Sequence, residues 1–192
     1  GLAAELVRLK VDIIVSAAPP TTRAAKQATT TIPIVMAFDD DPVGSGFVAS
    51  LARPGGNITG LSALSPEMSG KQLEILKEIV PNLSRVGVLG DVTRPGIPQA
   101  LREINVAADV FRAQVQYLEV RAPKDLEPAF RAANNERAEA IIILGSPALN
   151  LQRKQAIDLA AKSRLPAMYP RPEFVEEGGL TTYSPSFTDI YR

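Results

Sequence analysis

The fold of this chain is decided by residues 11–38, which read VDIIVSAAPPTTRAAKQATTTIPIVMAF. The apolar run at 11–17 predicts a buried strand, and residues 32–38 predict another. Between them, residues 20–30 predict a helix, with Pro20 in its first turn, where a missing N–H is tolerated. A strand, a helix and a strand in succession form a βαβ unit, whose two strands pair in parallel.

The same alternation of apolar runs and amphipathic stretches continues to the end of the chain. Further strands are predicted at 58–63, 85–90, 115–120, 138–145, 166–169 and 180–183. Further helices are predicted at 2–10, 43–51, 66–80, 98–111, 125–136 and 149–162, with a helical turn at 173–177. The strands are apolar throughout rather than alternating, which predicts burial on both faces. The sequence therefore predicts an α/β protein whose parallel sheets are covered by helices on both sides.

Composition excludes several kinds of chemistry. The chain of 192 residues contains no Cys and no His. This excludes a Cys/His zinc site, a thiol nucleophile, a Ser-His-Asp triad and an imidazole acid–base relay. Lys and Arg together number 21, as do Asp and Glu, so a broad basic surface for nucleic-acid phosphates is not indicated. We therefore expect a protein that is not an enzyme and has no cofactor, no metal and no nucleic-acid partner.

The two ends of the chain predict a longer parent protein. Residues 2–10 already follow a helical pattern, and residues 189–192 stop inside another. Natural domains seldom begin and end within an element, so we expect the parent to extend at both ends. For the same reason, the lack of a signal peptide carries no information on location. The longest apolar runs are far too short to span a membrane.

Candidate ligand-binding residues follow the predicted strands, because ligands of open parallel sheets bind at the carboxyl ends of strands. Hydroxyls beside the first turn of the helix at 20–30 could hold a ligand carboxylate, and carboxylates that follow strands could hold an ammonium group. The candidates are Ser16, Thr21 and Thr22 for the carboxylate, Asp40, Asp41 and Asp91 for the ammonium group, and Ala18, Thr93, Ser146, Tyr169 and Tyr183 as further contacts.

Each kind of candidate also has a structural alternative. Thr21 and Thr22 could simply cap the helix. The acidic run at 39–41 could be a solvated turn closed by side chain–backbone hydrogen bonds. Tyr169 and Tyr183 could equally be core residues with a hydrated hydroxyl.

Several stretches resemble one family of transport proteins. They are TIPIVMA at 31–37, DPV at 41–43, LARPGGNITGLS at 51–62, LEILKE at 73–78, RLPAMY at 164–169, and EFV followed by GGL within 173–180. Together they are similar to the substrate-binding proteins of ABC transporters related to the tryptophan and tyrosine binders, which are extracytoplasmic proteins of bacteria. The resemblance covers nearly the whole chain.

The resemblance implies the type I periplasmic-binding-protein fold, in which two Rossmann-like lobes with parallel sheets close on a ligand. Residues 1–63, with residues 184–192 returning to them, would form part of an incomplete first lobe. Residues 64–183 would form the second lobe. Hinges would lie near 61–65 and 182–185. A signal peptide in the precursor and a periplasmic location would follow.

The function implied by the resemblance is that of the solute-binding component of an ABC importer. Its ligand would be an amino acid, aromatic or branched, held in the cleft between the lobes, and the closed form would be recognised by the ABC permease. Relatives often have Asn-Pro where this chain has Asp91-Val92, and an acidic residue where it has Ser146. Asp39 and Asp40 also make their loop more acidic than is usual, which favours a cationic ligand group.

Two other functions stay open at this point. The chain could be a ligand-sensing domain of a regulator or receptor, since the same lobes occur in such proteins. It could also be an α/β enzyme, which the missing His and Cys disfavour. An incomplete lobe would expose unpaired sheet edges and apolar surface, which predicts self-association of the fragment.

Overall fold

The computed structural model describes residues 1–39, 41–63 and 66–186. The chain divides into two compact units, a first unit of Gly1–Ser65 with Pro185–Arg192 and a second unit of Pro66–Ser184. Each is described by itself. The lobe boundaries implied by the resemblance stay a prediction about the parent protein. Asp40 and the helical pattern at 189–192 lie outside the described residues.

The first unit is built on a parallel sheet of three strands in the order β1-β2-β3. The strands are β1 (Ile14–Ser16), β2 (Ile34–Asp39) and β3 (Ile58–Ser62). Helix α1 (Leu2–Arg8) precedes β1, and helix α2 (Pro19–Ala28) connects β1 to β2. β1 and β2 pair in parallel with Ile14 opposite Ile34, which confirms the predicted βαβ unit.

Burial in the first sheet is one-sided. Ile14 and Ser16 of β1 are buried, whereas Val15 between them is 71% exposed. The covered face forms a small core with Ala25 of α2 and with Phe47. The prediction of burial on both faces is therefore wrong for β1, because no element within the described ranges covers the face of Val15. Self-association through such surfaces stays a prediction.

The predicted helix at 43–51 does not form. Turns take its place, in which the Phe47 N–H donates to the Pro42 carbonyl over 2.9 Å. Gly46 has a φ of +71°, a left-handed conformation that a right-handed helix cannot continue through. The turns place Phe47 in the core of the first unit, with the Arg23 guanidinium 5.2 Å from its ring centroid.

The Arg-Pro-Gly-Gly-Asn stretch at 53–57 joins two loops of the first unit. Gly55 has a φ of +78°, in the left-handed region that favours glycine. Asn57 donates from Nδ2 to the Ile32 carbonyl over 2.8 Å. This hydrogen bond ties the loop before β3 to the loop before β2, so the stretch has a structural role.

The second unit contains a parallel sheet of five strands in the order β5-β4-β6-β7-β8. The strands are β4 (Arg85–Gly90), β5 (Gln114–Glu119), β6 (Ala140–Ile143), β7 (Ala167–Tyr169) and β8 (Thr181–Thr182). The helices are α3 (Met68–Ile79), α4 (Ile97–Phe111), α5 (Leu126–Asn135), α6 (Pro147–Leu151), α7 (Arg153–Ser163) and α8 (Pro172–Glu176), with a 3-10 turn at Pro123–Asp125. The five strands predicted in this region are confirmed.

The centre of the second sheet is buried on both faces. On one face, Val86 of β4 lies in a cluster with Leu73 of α3 and Ile104 of α4. On the other face, Leu89 of β4 lies in a cluster with Phe130 of α5. All four residues of β6 are buried. The predicted burial on both faces is therefore confirmed for the central strands of this sheet.

The helix predicted at 149–162 is divided in two. α6 ends at Leu151 and α7 begins at Arg153, with Gln152 between them at φ −106° and ψ 23°. α6 also begins earlier than predicted, because Ser146 caps it by accepting from the Leu149 N–H over 3.1 Å. The break falls at a residue that is neither Gly nor Pro, so the sequence carries no signal for it.

We predict that Gly179→Ala destabilises the second unit. A Cβ atom at this position would lie 2.7 Å from the Phe174 carbonyl oxygen and 2.7 Å from Cε2 of the buried Tyr169 ring. We expect the free energy of unfolding to fall by about 1–3 kcal/mol, the usual cost of overpacking, in a urea titration followed by circular dichroism. Gly56→Ala is the matched control, because a Cβ there meets no described atom within 4 Å. Equal losses in the two variants would contradict the packing argument.

Glu139 ties the amino end of β6 to that of β4. Its carboxylate accepts from the N–H groups of Ser84 and Arg85 at 2.5 and 3.0 Å. The hydrogen bond from Ser84, together with that from Arg85, holds the pKa of Glu139 below its ordinary value, although partial burial acts in the opposite direction. The fold therefore stabilises the charged form of this side chain.

We predict an acid-dependent loss of stability that originates in Glu139. Because its pKa is depressed in the folded state, the stabilisation is present above the pKa of the unfolded chain, about 4.3, and is lost as the pH falls through the folded value. Glu139→Gln should lower the free energy of unfolding at neutral pH and flatten its fall on acidification. Denaturant titrations between about pH 7 and pH 3 measure this.

The matched control for Glu139 is Glu136→Gln, at the exposed end of α5. This control should keep the wild-type dependence on pH. A Glu139→Gln profile parallel to that of the wild type would show that these hydrogen bonds do not favour the charged form.

Candidate ligand-binding site

The hydroxyls that follow β1 bind one another and the first turn of α2. Ser16 Oγ lies 2.8 Å from Thr22 Oγ1, and both side chains are buried. Thr22 Oγ1 donates to the Ala18 carbonyl over 3.1 Å. Because a hydroxyl carries one hydrogen, Ser16 is then the donor to Thr22. These side chains stabilise the connection from β1 to α2, and their contact with a ligand stays a prediction.

The first turn of α2 offers few donors to a ligand. Pro19 and Pro20 have no N–H, and the N–H groups of Thr21 and Thr22 both donate to the Ala18 carbonyl over 3.0 Å. The exposed Thr21 hydroxyl also bonds Ala18, accepting from its N–H over 3.2 Å and donating to its carbonyl over 2.7 Å. Thr21 therefore caps the helix, which is the alternative that the sequence left open. A ligand carboxylate would have to bind its hydroxyl rather than backbone N–H groups of residues 19–22.

Asp39, the last residue of β2, and Asp41 both accept hydrogen bonds from backbone N–H groups. The Asp41 N–H donates to Asp39 Oδ1 over 2.8 Å, and Asp41 Oδ1 accepts from the Gly44 N–H over 2.7 Å. Asp39 is buried, with 1% of its surface exposed. Asp41 thus closes a local turn, which is the structural alternative that the sequence analysis gave to a role in ligand binding.

Asp91, directly after β4, is held as a charged group. The Thr93 N–H and hydroxyl donate to Asp91 Oδ1 at 3.0 and 2.5 Å, and Arg121 Nε lies 4.0 Å from the same oxygen. Burial acts to raise the pKa of Asp91, but the hydrogen bonds from Thr93 and the charges of Arg121 and Arg94 outweigh it and hold the pKa below its ordinary value. The result is a fixed carboxylate at the edge of the sheet where ligands of such folds bind.

Two further residues at this edge were missed by the sequence analysis. Tyr117 donates from its hydroxyl to the Gly90 carbonyl over 2.7 Å and accepts from the Val92 N–H over 3.0 Å. Burial, with the charge of Glu119, raises the pKa of Tyr117 to about 12, so this hydroxyl stays neutral. Arg121 Nε donates to Glu119 over 3.0 Å. No motif marks these residues, because they act through the pairing of β5 with β4.

Tyr117 and Arg121 also line an open groove beside β5 and α5, with a volume of about 470 Å³. Its other polar walls come from Glu119 and Asp125. Asp125 is engaged locally, since it accepts from the N–H groups of residues 121 and 122 at 3.1 and 2.9 Å. The groove is open, and its wall residue Arg121 is the one whose Nε lies 4.0 Å from Asp91 Oδ1.

The three remaining candidates have different surroundings. Ser146 is buried and caps α6. Tyr169 is 2% exposed, its ring stacks on Phe174 with centroids 5.2 Å apart, and burial raises its pKa to about 12. Tyr183 is 38% exposed, and its carbonyl accepts from Gln72 Nε2 over 2.8 Å. Tyr169 therefore belongs to the core, whereas Tyr183 keeps part of its ring accessible.

Within each unit, hydrogen bonds join candidates that follow the same strand. In the first unit, Ser16, Ala18, Thr21 and Thr22 meet after β1 and Asp41 follows β2, and in the second unit Asp91 and Thr93 meet after β4. Among the described residues, no group of three or more His, Cys, Asp or Glu side chains could hold a metal ion. No helix in the described ranges is long and apolar enough to cross a membrane. What these groups offer a ligand is hydrogen bonding and charge.

Comparison with known proteins identifies a family that the chain matches. A family model for ABC transporter substrate binding proteins matches residues 2–190. A relative from Clostridioides difficile (strain R20291), named tyrosine-binding protein, is 40% identical over 90 residues, which are 46% of this chain and 25% of that protein.

Two solved structures extend the comparison. A conserved domain protein from Vibrio cholerae O1 biovar El Tor strain N16961 is 28% identical with a TM-score of 0.83, over 98% of this chain and 63% of that chain. An ABC domain from Streptococcus pneumonia in complex with L-Trp is 24% identical with a TM-score of 0.83, over 98% of this chain and 65% of that chain. The chain therefore spans less than two thirds of the length of each.

These likenesses confirm the predicted α/β fold of the type I periplasmic binding proteins. The matched family consists of solute-binding proteins, which confirms the prediction that the chain is not an enzyme. The family model matches nearly every residue. The chain belongs to the ABC transporter substrate-binding protein family.

Proposed function

We propose that this chain is the ligand-binding part of a periplasmic solute-binding protein that delivers an amino acid, aromatic or branched, to an ABC importer. The observation that carries the proposal is the family match over residues 2–190. The ligand class is supported by the relative named tyrosine-binding protein and by the solved structure in complex with L-Trp. An ABC permease would be the partner, and it would recognise the form that the ligand stabilises.

Asp91 is the side chain best suited to an amino-acid ligand. An α-ammonium group needs an ionised acceptor, and the lowered pKa of Asp91 provides one. Its contacts with other described residues are made through Oδ1, so Oδ2 can accept from the ligand. Thr93 and Arg121 would keep the carboxylate in position while it does so.

The other ligand groups have weaker candidates. The exposed Thr21 hydroxyl could donate to the ligand carboxylate if it exchanged its bond to Ala18. The accessible part of the Tyr183 ring could pack against an aromatic or aliphatic side chain. Both assignments follow from exposure and residue type, and both rank below that of Asp91.

We predict that an amino acid stabilises the full-length protein against heat. A ligand that binds only the native state adds about 2.7 kcal/mol of stability at a hundredfold excess over its dissociation constant. Differential scanning fluorimetry with L-tyrosine, L-tryptophan, L-leucine, a sugar panel and a purine panel measures this. A shift with a sugar or a purine and with no amino acid would remove amino acids as the ligand class and leave the family membership intact.

We predict that Asp91→Asn weakens the binding of that amino acid. Removing a charged hydrogen-bond partner costs about 1.5–3 kcal/mol, or roughly a ten- to hundredfold rise in Kd. Calorimetric titration measures the change, and Asp109→Asn on the exposed side of α4 is the matched control. An analogue of the ligand without its amino group should bind the wild type and Asp91→Asn equally. If Asp91→Asn instead keeps the wild-type Kd for the amino acid, Asp91 does not bind the ammonium group.

A further inference from the structure

One side chain holds the segment through which the chain leaves the second unit. Gln72 of α3 is buried, with 7% of its surface exposed. Its Nε2 donates over 2.8 Å to the carbonyl of Tyr183, which lies 111 residues further along the chain. β8 ends at Thr182, and the second unit ends at Ser184. The hydrogen bond therefore acts on the last residues before the chain passes to the first unit.

The Gln72 amide is not explained by packing. Only the amide nitrogen can donate to a carbonyl, so the hydrogen bond fixes the orientation of the side chain. Oε1 is then buried and has no hydrogen-bond partner in the part of the chain that the structure describes. A buried acceptor without a donor is destabilising, and Met would fill the same space without it. Of the two polar atoms of this amide, the donor is thus the one that makes a hydrogen bond to a described residue.

The segment that Gln72 holds follows a short strand, whose Thr182 hydroxyl also donates to the Tyr169 carbonyl over 2.8 Å. β8 has two residues and pairs only through Thr181 and Thr182 with β7 in the described sheet. Pro185 has no N–H and cannot extend this pairing. The bond from Gln72 to Tyr183 thus adds a side-chain attachment where the strand pairing stops.

We propose that Gln72 is a positioning residue that clamps the exit segment to α3, so that bending between the lobes begins after Tyr183 and not within β8. A clamp at this point limits the range of inter-lobe orientations that the ligand-free protein samples. The protein therefore reaches the closed form in less time. The inference rests on the proposed function, because the position of the hinge affects transport only if the lobes close on a ligand and the permease recognises the closed form.

Amide hydrogen exchange tests the clamp in the full-length protein without any ligand. In Gln72→Met, which has no donor, and in Gln72→Glu, which keeps an acceptor but loses the donor, we expect exchange at 182–184 to rise at least tenfold. Gln72→Met should keep or raise the thermal midpoint, because it also removes the unpartnered acceptor. Gln155→Met, on the exposed face of α7, is the matched control. A lower midpoint with unchanged exchange at 182–184 would mean that Gln72 serves packing alone.

Spin-label distances test the bending itself. The chain has no Cys, so Arg53→Cys and Glu127→Cys, both at exposed positions, give one label on each unit. We expect the ligand-free distance distribution to be broader in Gln72→Met than in the wild type. An unchanged width would overturn the hinge role even if exchange rises. If the wild type responds to none of L-tyrosine, L-tryptophan and L-leucine, the proposed ligand fails, while the exchange and the ligand-free distances still decide the clamp.

Discussion

The constraint on which the rest of the structure depends is the burial of β4 and β6 on both faces of the second sheet. Strands covered on both faces have no room for unpaired polar side chains, so polar residues are confined to the strand ends. At the amino ends, Glu139 joins the two strands through backbone N–H groups. At the carboxyl ends, Asp91 and Ser146 lie where ligands of such folds bind. The carboxyl edge of the sheet can therefore change in sequence without disturbing the core.

Most polar groups at the strand ends are already engaged within the chain. Ser16 and Thr22 bond each other, and Thr21 and Asp41 close local turns. These bonds shape the loops, but they leave less for a ligand than the sequence suggests. Asp91 differs because Thr93 and Arg121 hold it as a carboxylate through contacts to the same oxygen, Oδ1. This difference is why the proposed recognition of an ammonium group rests on Asp91.

Apolar runs predicted all eight strands of the described ranges. For the central strands β4 and β6 the reason is that burial on both faces leaves an uninterrupted apolar run. It failed where one residue decides the local conformation. Gly46 ends a stretch of helical composition, and Gln152 breaks a helix without being Gly or Pro. It also failed where a residue acts over a long sequence distance, as Gln72 does on Tyr183. Residue type predicted the chemistry of Asp91, but only the pairing of β5 with β4 reveals that Arg121 fixes it.

The central claim is that a protein carrying this chain holds one amino acid. Native mass spectrometry tests it most directly, with the full-length protein purified under native conditions and mixed with equal amounts of L-tyrosine, L-tryptophan and L-leucine. We expect a folded species heavier than the protein alone by the mass of a single amino acid, with one of the three preferred. A folded species at the ligand-free mass alone would contradict the claim.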